Sequence, residues 1–195
     1  MSDPLEPQDD AATLLTDEER VELIPHWITL RAELNEAEQD NIVEALEWAF
    51  TRRRNILDQR VLKELHRRMF GRVWRWAGSF RRTARNIGVD AYRIPADLGQ
   101  LLDDCMFWVD NKSYEPDEIA VRFHHRLVQI HPFPNGNGRH ARMATDLLLA
   151  SMGRPRFSWG RTNLVDASQT RQQYIEALRA ADGHDYRPLQ DFIRS

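Results

Sequence analysis

The stretch HPFPNGNGRHAR, residues 131–142, contains the features that decide the fold around it. It follows a run of helical spacing that ends near Ile130. Pro132 and Pro134 flank Phe133 and disfavour continuation of that helix, because proline lacks a backbone N–H and restricts the residue before it. We therefore expect a loop of fixed shape here, anchored from beneath by Phe133.

The second half of this stretch has the composition of an anion-binding site. Gly136 and Gly138 can adopt backbone angles that let consecutive N–H groups converge. The next residues have helical spacing, so the positive end of a helix would point at the same place. Arg139 and Arg142 are three residues apart and share a helix face, while His131 can remove a proton from an attacking hydroxyl. This combination indicates phosphoryl or nucleotidyl transfer.

The rest of the chain indicates one mostly helical domain. Apolar residues recur at helical intervals over most of the chain beyond Leu34. The exception is Asn86 to Ile94, where glycine and a Gly-Val-Asp turn predict a small β-hairpin. The predicted fold is all-α with this hairpin as a flap. We divide the chain into an acidic N-terminal segment, residues 1–40, and a helical domain, residues 41–195.

Charge is distributed unevenly, although the formal net charge is only -3. Residues 1–50 contain fourteen acidic residues against two arginines, and residues 51–93 contain thirteen basic residues against three acids. The acidic part could lie against the basic part of its own domain, or the basic surface could meet nucleotide phosphates or a nucleic acid. Solvated helix faces that never meet are the third interpretation.

Composition also bears on the compartment. No apolar run is long enough to cross a membrane, and the acidic, polar start differs from the basic and apolar start of a secretion signal. The single cysteine, Cys105, excludes an internal disulfide. We therefore expect a cytoplasmic protein with no membrane contact.

Residues 131–142 resemble the signature of the Fic/Doc family, H-x-F-x-D/E-G-N-G-R-x-x-R, and match it at every position except one. The segment LKELHRRMFGRVWRWAGSFR, residues 62–81, resembles the helix that leads into the family's W-A-G-x-Y/F-R motif. The segment RQQYIEALRAADGHDYRPLQDFI, residues 171–193, is similar to its C-terminal pair of helices. The likeness covers residues 41–193. ELNEAEQDNI, residues 33–42, also resembles a bacterial branch called mobile mystery protein B.

This resemblance implies an all-α core with a β-hairpin flap, and an enzyme that transfers AMP from ATP to a Ser, Thr or Tyr hydroxyl of a target protein. It implies that His131 is the general base. Asn137 and Arg139 would complete the catalytic group by holding the phosphates. The backbone from Gly136 to Gly138 would form an anion hole, and Arg142 would bind the terminal phosphates.

The resemblance also implies partners. The flap would clamp the main chain of the target by strand addition, through Asn86, Ile87, Gly88 and Val89. Members of the mobile mystery branch tend to be encoded beside a helix-turn-helix protein, so the branch resemblance implies an antitoxin-like partner that neutralises a toxin. The sequence leaves open whether the chain forms a homodimer.

Asn135 is the one departure from the signature. The family usually has Asp or Glu there as a ligand of Mg²⁺, whereas an amide oxygen lacks the charge that makes a carboxylate suit this hard cation. Three outcomes follow: slower Mg²⁺-dependent AMP transfer, use of another phosphate-containing donor, or nucleotide binding without catalysis. We favour retained AMP transfer because the rest of the loop is intact. The basic segment from Arg52 to Arg85 leaves a different class open, because it could bind nucleic acid and make the domain a binding module or a nucleic-acid-directed transferase.

Many family members carry an inhibitory helix with the pattern S/T-x-x-x-E-G/N, whose glutamate pairs with the second arginine of the signature. Thr29 to Glu33 fits the first five positions, and Leu34 stands where Gly or Asn is expected. Glu33 is therefore the predicted inhibitor, which would pair with Arg142 and displace the γ-phosphate. Its alternative role is that of a surface acid in the first turn of a helix.

Overall fold

A computed structural model describes residues 16–160 and 167–195 of the chain. Within these two ranges the fold consists of helices and loops, so the all-α prediction is confirmed. Residues 1–15 of the predicted acidic segment lie outside the described residues. The helices are α1 (Asp17–Arg20), α2 (Arg31–Thr51), α3 (Gln59–Phe70), a 3-10 turn (Ala91–Arg93), α4 (Ile94–Asn111), α5 (Pro116–Ile130), α6 (Asn137–Ser151), α7 (Ala167–Asp182) and α8 (Arg187–Arg194).

Local sequence explains where the helices around the site begin and end. The side chain of Asp58 accepts a hydrogen bond from the backbone N–H of Arg60 at 2.7 Å and so caps the start of α3. Pro116 occupies the first turn of α5, where its missing N–H costs nothing. Helix α5 ends at His131, which adopts the left-handed conformation with φ 53°.

The site is supported by a core between α2, α3, α4, α5 and α6. Helices α5 and α6 pack side by side, α4 covers α5, and α3 packs against both α2 and α6. A second apolar cluster joins α7 and α8 to the outer faces of α5 and α6. None of the helices within the two described ranges has the length and apolar composition needed to span a bilayer.

The N-terminal part of the described chain docks on the basic part. The backbone N–H of Ile24 donates to Val73 O at 2.8 Å, and Glu22 O accepts from the backbone N–H of Arg75 at 3.0 Å. Glu19 forms a buried ion pair with Arg85. These contacts agree with the interpretation that the acidic part lies against its own domain. Helix α2 runs without interruption across residue 40, so the division predicted there does not coincide with a break in structure.

The segment from Asn86 to Ile94 differs from the expected β-hairpin. Residues 86–89 form bends, and Ala91–Arg93 form the 3-10 turn that leads into α4. The reason is tertiary: the backbone N–H of Val89 donates to Ile130 O at 3.4 Å, and Val89 O accepts from the Arg81 guanidinium. The groups that would pair across a hairpin are used to dock the segment on the end of α5.

Candidate active site

Asn137 closes the motif loop on itself. Its side chain is only 3% exposed. Its Oδ1 accepts a hydrogen bond from the Phe133 N–H at 2.9 Å, and its Nδ2 donates to Phe133 O at 2.8 Å. The structure therefore corrects the expectation that this side chain holds phosphate. The amide shapes the loop, and the backbone N–H of Asn137 belongs to the first turn of α6.

His66 of α3 holds the same loop from below. Its ring stacks on Phe133, with ring centroids 3.7 Å apart. The Gly78 N–H donates to Nδ1 at 3.0 Å, so Nε2 carries the proton and donates to Asn135 O at 3.0 Å. Burial holds the pKa of His66 well below its usual value, which keeps this tautomer neutral. The sequence did not single out His66, because nothing local links it to a loop 69 residues away.

Gly136 forms the corner of the loop before α6. Its φ is 77°, in the left-handed region, and a Cβ at this position would lie 2.5 Å from Cζ of Phe70. Only glycine fits this corner. The first helical bond of α6 runs from the His140 N–H to Gly136 O at 2.9 Å. The N–H groups of the first turn before His140 therefore have no acceptor inside the helix and can bind an anion.

His131 stands at the entrance to this loop. The residue is 5% exposed and has φ 53°, an unusual conformation for a side chain of this size. Burial lowers the pKa of His131 from its usual value to about 4, and the charges of Arg81 and Arg85 act in the same direction. A hydrogen bond to the Val128 backbone raises this pKa only in part. The imidazole is therefore neutral at physiological pH, as a general base must be.

Arg81 fixes the backbone on which His131 sits. Its side chain is nearly buried, and its Nε donates to His131 O at 2.6 Å while its Nη1 donates to Thr83 O at 3.0 Å. The backbone N–H of Arg81 donates to Pro132 O at 3.0 Å. This arginine ends the WAGSFR segment, residues 76–81, which carried the family resemblance without a stated role.

The predicted flap residues lie beside His131. A Cβ on Gly88, whose φ is 102°, would lie 2.7 Å from the Cβ of His131, so the flap backbone passes directly over the histidine. Both backbone groups of Val89 are hydrogen-bonded within the protein. Asn86 and Ile87 are exposed. Strand addition by a target would therefore have to use residues 86–88, and the predicted contribution of Val89 does not fit.

Both motif arginines lie on the first turns of α6, as the sequence predicts. Arg139 Nη2 lies 2.7 Å from Oε2 of Glu38, a residue in the middle of α2 that is 3% exposed. The second oxygen of Glu38 accepts from Nε1 of Trp74 at 2.7 Å. Arg142 Nε donates to Gly138 O at 3.4 Å. Glu38, an acid of the N-terminal segment, therefore contacts Arg139, the first of the two motif arginines.

Glu33 differs from its predicted place. Its Oε2 accepts hydrogen bonds from the backbone N–H groups of Thr29 at 2.8 Å and Leu30 at 3.0 Å, which caps the start of α2. Five residues further on, Glu38 is rotated by about 140° around the helix axis and faces the core. Glu33 therefore caps α2 as a first-turn acid, and the structure does not show the expected pairing of Glu33 with Arg142.

The loop does not offer the donor set of a typical Mg²⁺ site. Proteins bind Mg²⁺ through one or two carboxylates together with substrate phosphates. Asn135 supplies an amide, and its Oδ1 accepts from the Gly136 N–H at 2.6 Å. No group of three His, Cys, Asp or Glu side chains converges on one point in residues 16–160 and 167–195. The described residues of the loop therefore do not fit a typical Mg²⁺ site.

The fold and the loop define a class of protein: a helical domain in which one short loop combines a buried neutral histidine, a glycine corner and a helix N-terminus. Residues 56–149 match the model of the Fic/DOC family, so the chain contains a Fic domain. The resemblance seen in the signature is thereby confirmed at the level of the family.

Named relatives agree with this assignment. The chain is 36% identical over 134 residues to protein adenylyltransferase Fic of Drosophila grimshawi, and 34% identical to that of Aedes aegypti. These matches cover 67% of this chain but only 26% of each relative. The fold is similar to BepC of Bartonella tribocorum with bound AMPPNP, with TM-score 0.69, 21% identity and coverage of 92% of this chain and 97% of that chain. Fic-1 from C. elegans has TM-score 0.62 and 26% identity, with coverage of 83% and 47%.

Proposed function

We propose that this chain is a protein adenylyltransferase, which moves AMP from ATP to a Ser, Thr or Tyr hydroxyl of a target protein. This proposal rests on His131, which is buried and neutral. His131 begins the loop that contains the Gly136 corner and leads into the N-terminus of α6. The two insect relatives have this activity in their names, and the Bartonella structure contains an ATP analogue.

AMP transfer forms one bond to the α-phosphorus and breaks another. The hydroxyl oxygen of the target attacks the α-phosphorus of ATP, and the bond from that phosphorus to the bridging oxygen breaks. Pyrophosphate leaves with the electron pair, and His131 takes the hydroxyl proton. The first-turn N–H groups of α6 and the charge of Arg139 stabilise the negative charge that develops on the phosphate oxygens.

Labelled ATP tests this function directly. The chain is incubated with ATP labelled at the α-phosphate or at the γ-phosphate, alone and with bacterial or insect cell extract, and protein-bound label is measured. If AMP is transferred, the protein carries label only from ATP labelled at the α-phosphate. Retention of the γ label would indicate phosphate transfer instead, and protein-bound label from neither would favour nucleotide binding without catalysis.

Asn135 is expected to limit any contribution of Mg²⁺. Changing Asn135→Asp keeps the size of the side chain and the oxygen that accepts from the Gly136 N–H. It adds the charge of a carboxylate, the group that Mg²⁺ prefers. We expect a several-fold to tenfold rise in AMP transfer in Mg²⁺, and no rise when EDTA replaces the metal. A fall in transfer at every Mg²⁺ concentration would contradict a metal-facing role for position 135.

Glu38 is the acid that we propose as the self-inhibitor in place of Glu33. Its carboxylate uses part of the Arg139 fork that the phosphates of ATP require. Changing Glu38→Gln removes the charge and keeps an acceptor for Trp74, so we expect about tenfold tighter ATP binding and faster AMP transfer.

Glu33→Gln is the matched control for that variant, because it lies on the same helix and makes only capping bonds. We expect its transfer rate to match the wild type. If Glu38→Gln loses activity while remaining folded, then Glu38 orients Arg139 for phosphate binding and does not inhibit.

The nucleic-acid interpretation of the basic segment is not favoured by its contacts. Arg67 and Arg68 both pair with Glu64, and Arg72 pairs with Glu44. The mobile mystery branch, a helix-turn-helix antitoxin partner, a homodimer and a cytoplasmic location stay predictions from sequence. Co-purification of the chain with a neighbouring helix-turn-helix protein would test the toxin–antitoxin prediction.

A further inference from the structure

Arg31 brings a third guanidinium toward the motif arginines. It is the first residue of α2 and lies seven residues before Glu38, which places the two on nearly the same face of the helix. Glu38 contacts Arg139. Arg31 is half-buried, unlike most arginines at a helix start. The start of α2 therefore points a cation at the same side of α6 that carries the motif.

Arg171 is an exposed residue near the start of α7. The Arg142 guanidinium lies 5.5 Å from the ring centroid of Tyr174 on α7. Arg171 is three residues before Tyr174, so the two side chains are neighbours on one face of α7. Arg142 of α6 and Arg171 of α7 are thus both neighbours of Tyr174.

The position of Tyr174 is held by buried hydrogen bonds. The hydroxyl of Thr145 donates to Ala141 O at 2.7 Å, so its oxygen accepts from Nδ1 of His124, which lies 3.3 Å away. Nε2 of His124 is then the acceptor for the Tyr174 hydroxyl at 2.8 Å. Burial and the charge of Arg142 lower the pKa of His124 to about 3, which preserves this neutral arrangement.

The charges in this region act on one another. The pKa of Arg31 is lowered first by burial and then by the charges of Arg139 and Arg171, whereas Glu38 raises it. Burial raises the pKa of Tyr174 to about 12, and the charges of Arg142 and Arg171 oppose this rise. Guanidinium groups from three helices close enough to influence each other form a site suited to a polyanion.

We propose that Arg31 and Arg171 bind the terminal phosphates of a nucleoside triphosphate and extend the site formed by Arg139 and Arg142. This inference rests on the proposed function. The α-phosphate lies at the loop and the N-terminus of α6, and the β- and γ-phosphates extend from it between α2 and α7. Arg31 and Arg171 therefore favour triphosphates over monophosphates, and pyrophosphate is held by the same two residues after transfer.

The test compares AMP, ADP and ATP binding to the full chain by calorimetry. In Arg31→Gln and in Arg171→Gln we expect the Kd for ATP to rise about tenfold, because each variant loses charge-assisted bonds to phosphate. The Kd for AMP is expected to stay within about twofold of the wild type, because AMP lacks the terminal phosphates. Arg31→Lys and Arg171→Lys keep the charge and are expected to recover part of the ATP affinity.

Two arginines serve as matched controls. Arg179 lies near the other end of α7, and Arg52 follows the last residue of α2; both are exposed. Their glutamine variants should bind all three nucleotides like the wild type, which separates a local effect from a general change in protein charge. Circular dichroism melting confirms that each variant is folded, and the lysine variants carry the test if a glutamine variant unfolds.

Failure of this inference can be told from failure of the proposed function. If both the wild type and the Glu38→Gln variant bind ATP no better than AMP, and neither transfers AMP, the proposed function and this inference are overturned together. A wild type that prefers ATP, together with Gln variants whose ATP affinity is unchanged, overturns the inference alone. Equal losses for AMP and ATP also overturn it, because they place these arginines away from the terminal phosphates.

Discussion

His131→Ala is expected to lower AMP transfer by about a hundred- to ten-thousand-fold, which is the usual contribution of a general base. ATP affinity should change little, because the phosphates are held by the loop, α6 and the arginines. The physical reason is that the target hydroxyl must lose its proton as it attacks, and the neutral imidazole of His131 is the acceptor placed for it.

Protein-bound α-label and ATP affinity are measured in parallel for this variant. The control is His26→Ala, since His26 is an exposed histidine in the segment before α2. An His131→Ala protein that transfers AMP at the wild-type rate would show that another group removes the proton.

The pH profile of the wild type gives a second measurement of the same base. A histidine acts as a base only when unprotonated, and His131 has a pKa lowered to about 4. Most His131 side chains should therefore stay unprotonated and active as pH falls from 8 to about 5. A histidine with the ordinary pKa of about 6.5 would be mostly protonated at that pH. An NMR titration of the His131 ring, assigned with His131→Ala, measures this pKa without interference from ionisation of ATP.

Gly136→Ala is expected to have the second large effect. The left-handed φ of 77° costs a residue with a Cβ about 1–2 kcal/mol. The new methyl would also lie 2.5 Å from the Phe70 ring, so the corner has to move. Because the first-turn N–H groups of α6 depend on this corner, we expect AMP transfer to fall by about a hundredfold or more.

Gly138→Ala is the control for the stability part of that prediction. A Cβ at Gly138 would meet nothing within 4 Å. Alanine is also a better helix former than glycine, by about 1 kcal/mol. Thermal unfolding should therefore show a lower Tm for Gly136→Ala and an unchanged or higher Tm for Gly138→Ala. Equal Tm values for the two variants would contradict the strained corner.

Residues close in sequence allowed the loop and its neighbouring helices to be predicted. The two prolines end α5, glycine permits the corner, and Arg139 and Arg142 share a face of α6 because they are three residues apart. Such features depend on backbone angles and helix periodicity over a few residues. They require no knowledge of what lies opposite in the folded protein.

Other predictions failed because they depended on contacts between distant residues. The hairpin expected near Gly88 is replaced by bends, because the backbone groups of Val89 bond to Ile130 and Arg81. The Asn137 amide is turned inward by Phe133. A short pattern around Glu33 pointed to α2, but the acid of that helix that contacts a motif arginine is Glu38, because the pattern cannot show which face of α2 meets α6.

The amino-acid sequence by itself determined the helical class and the glycine corner before α6, because these follow from local backbone preferences. Only the tertiary structure decided that Glu38 meets Arg139, that Arg81 and His66 hold the loop, and that α2 and α7 bring further arginines to it. Those pairings join residues far apart in the chain, and they exist only where packing of the helices brings their faces together.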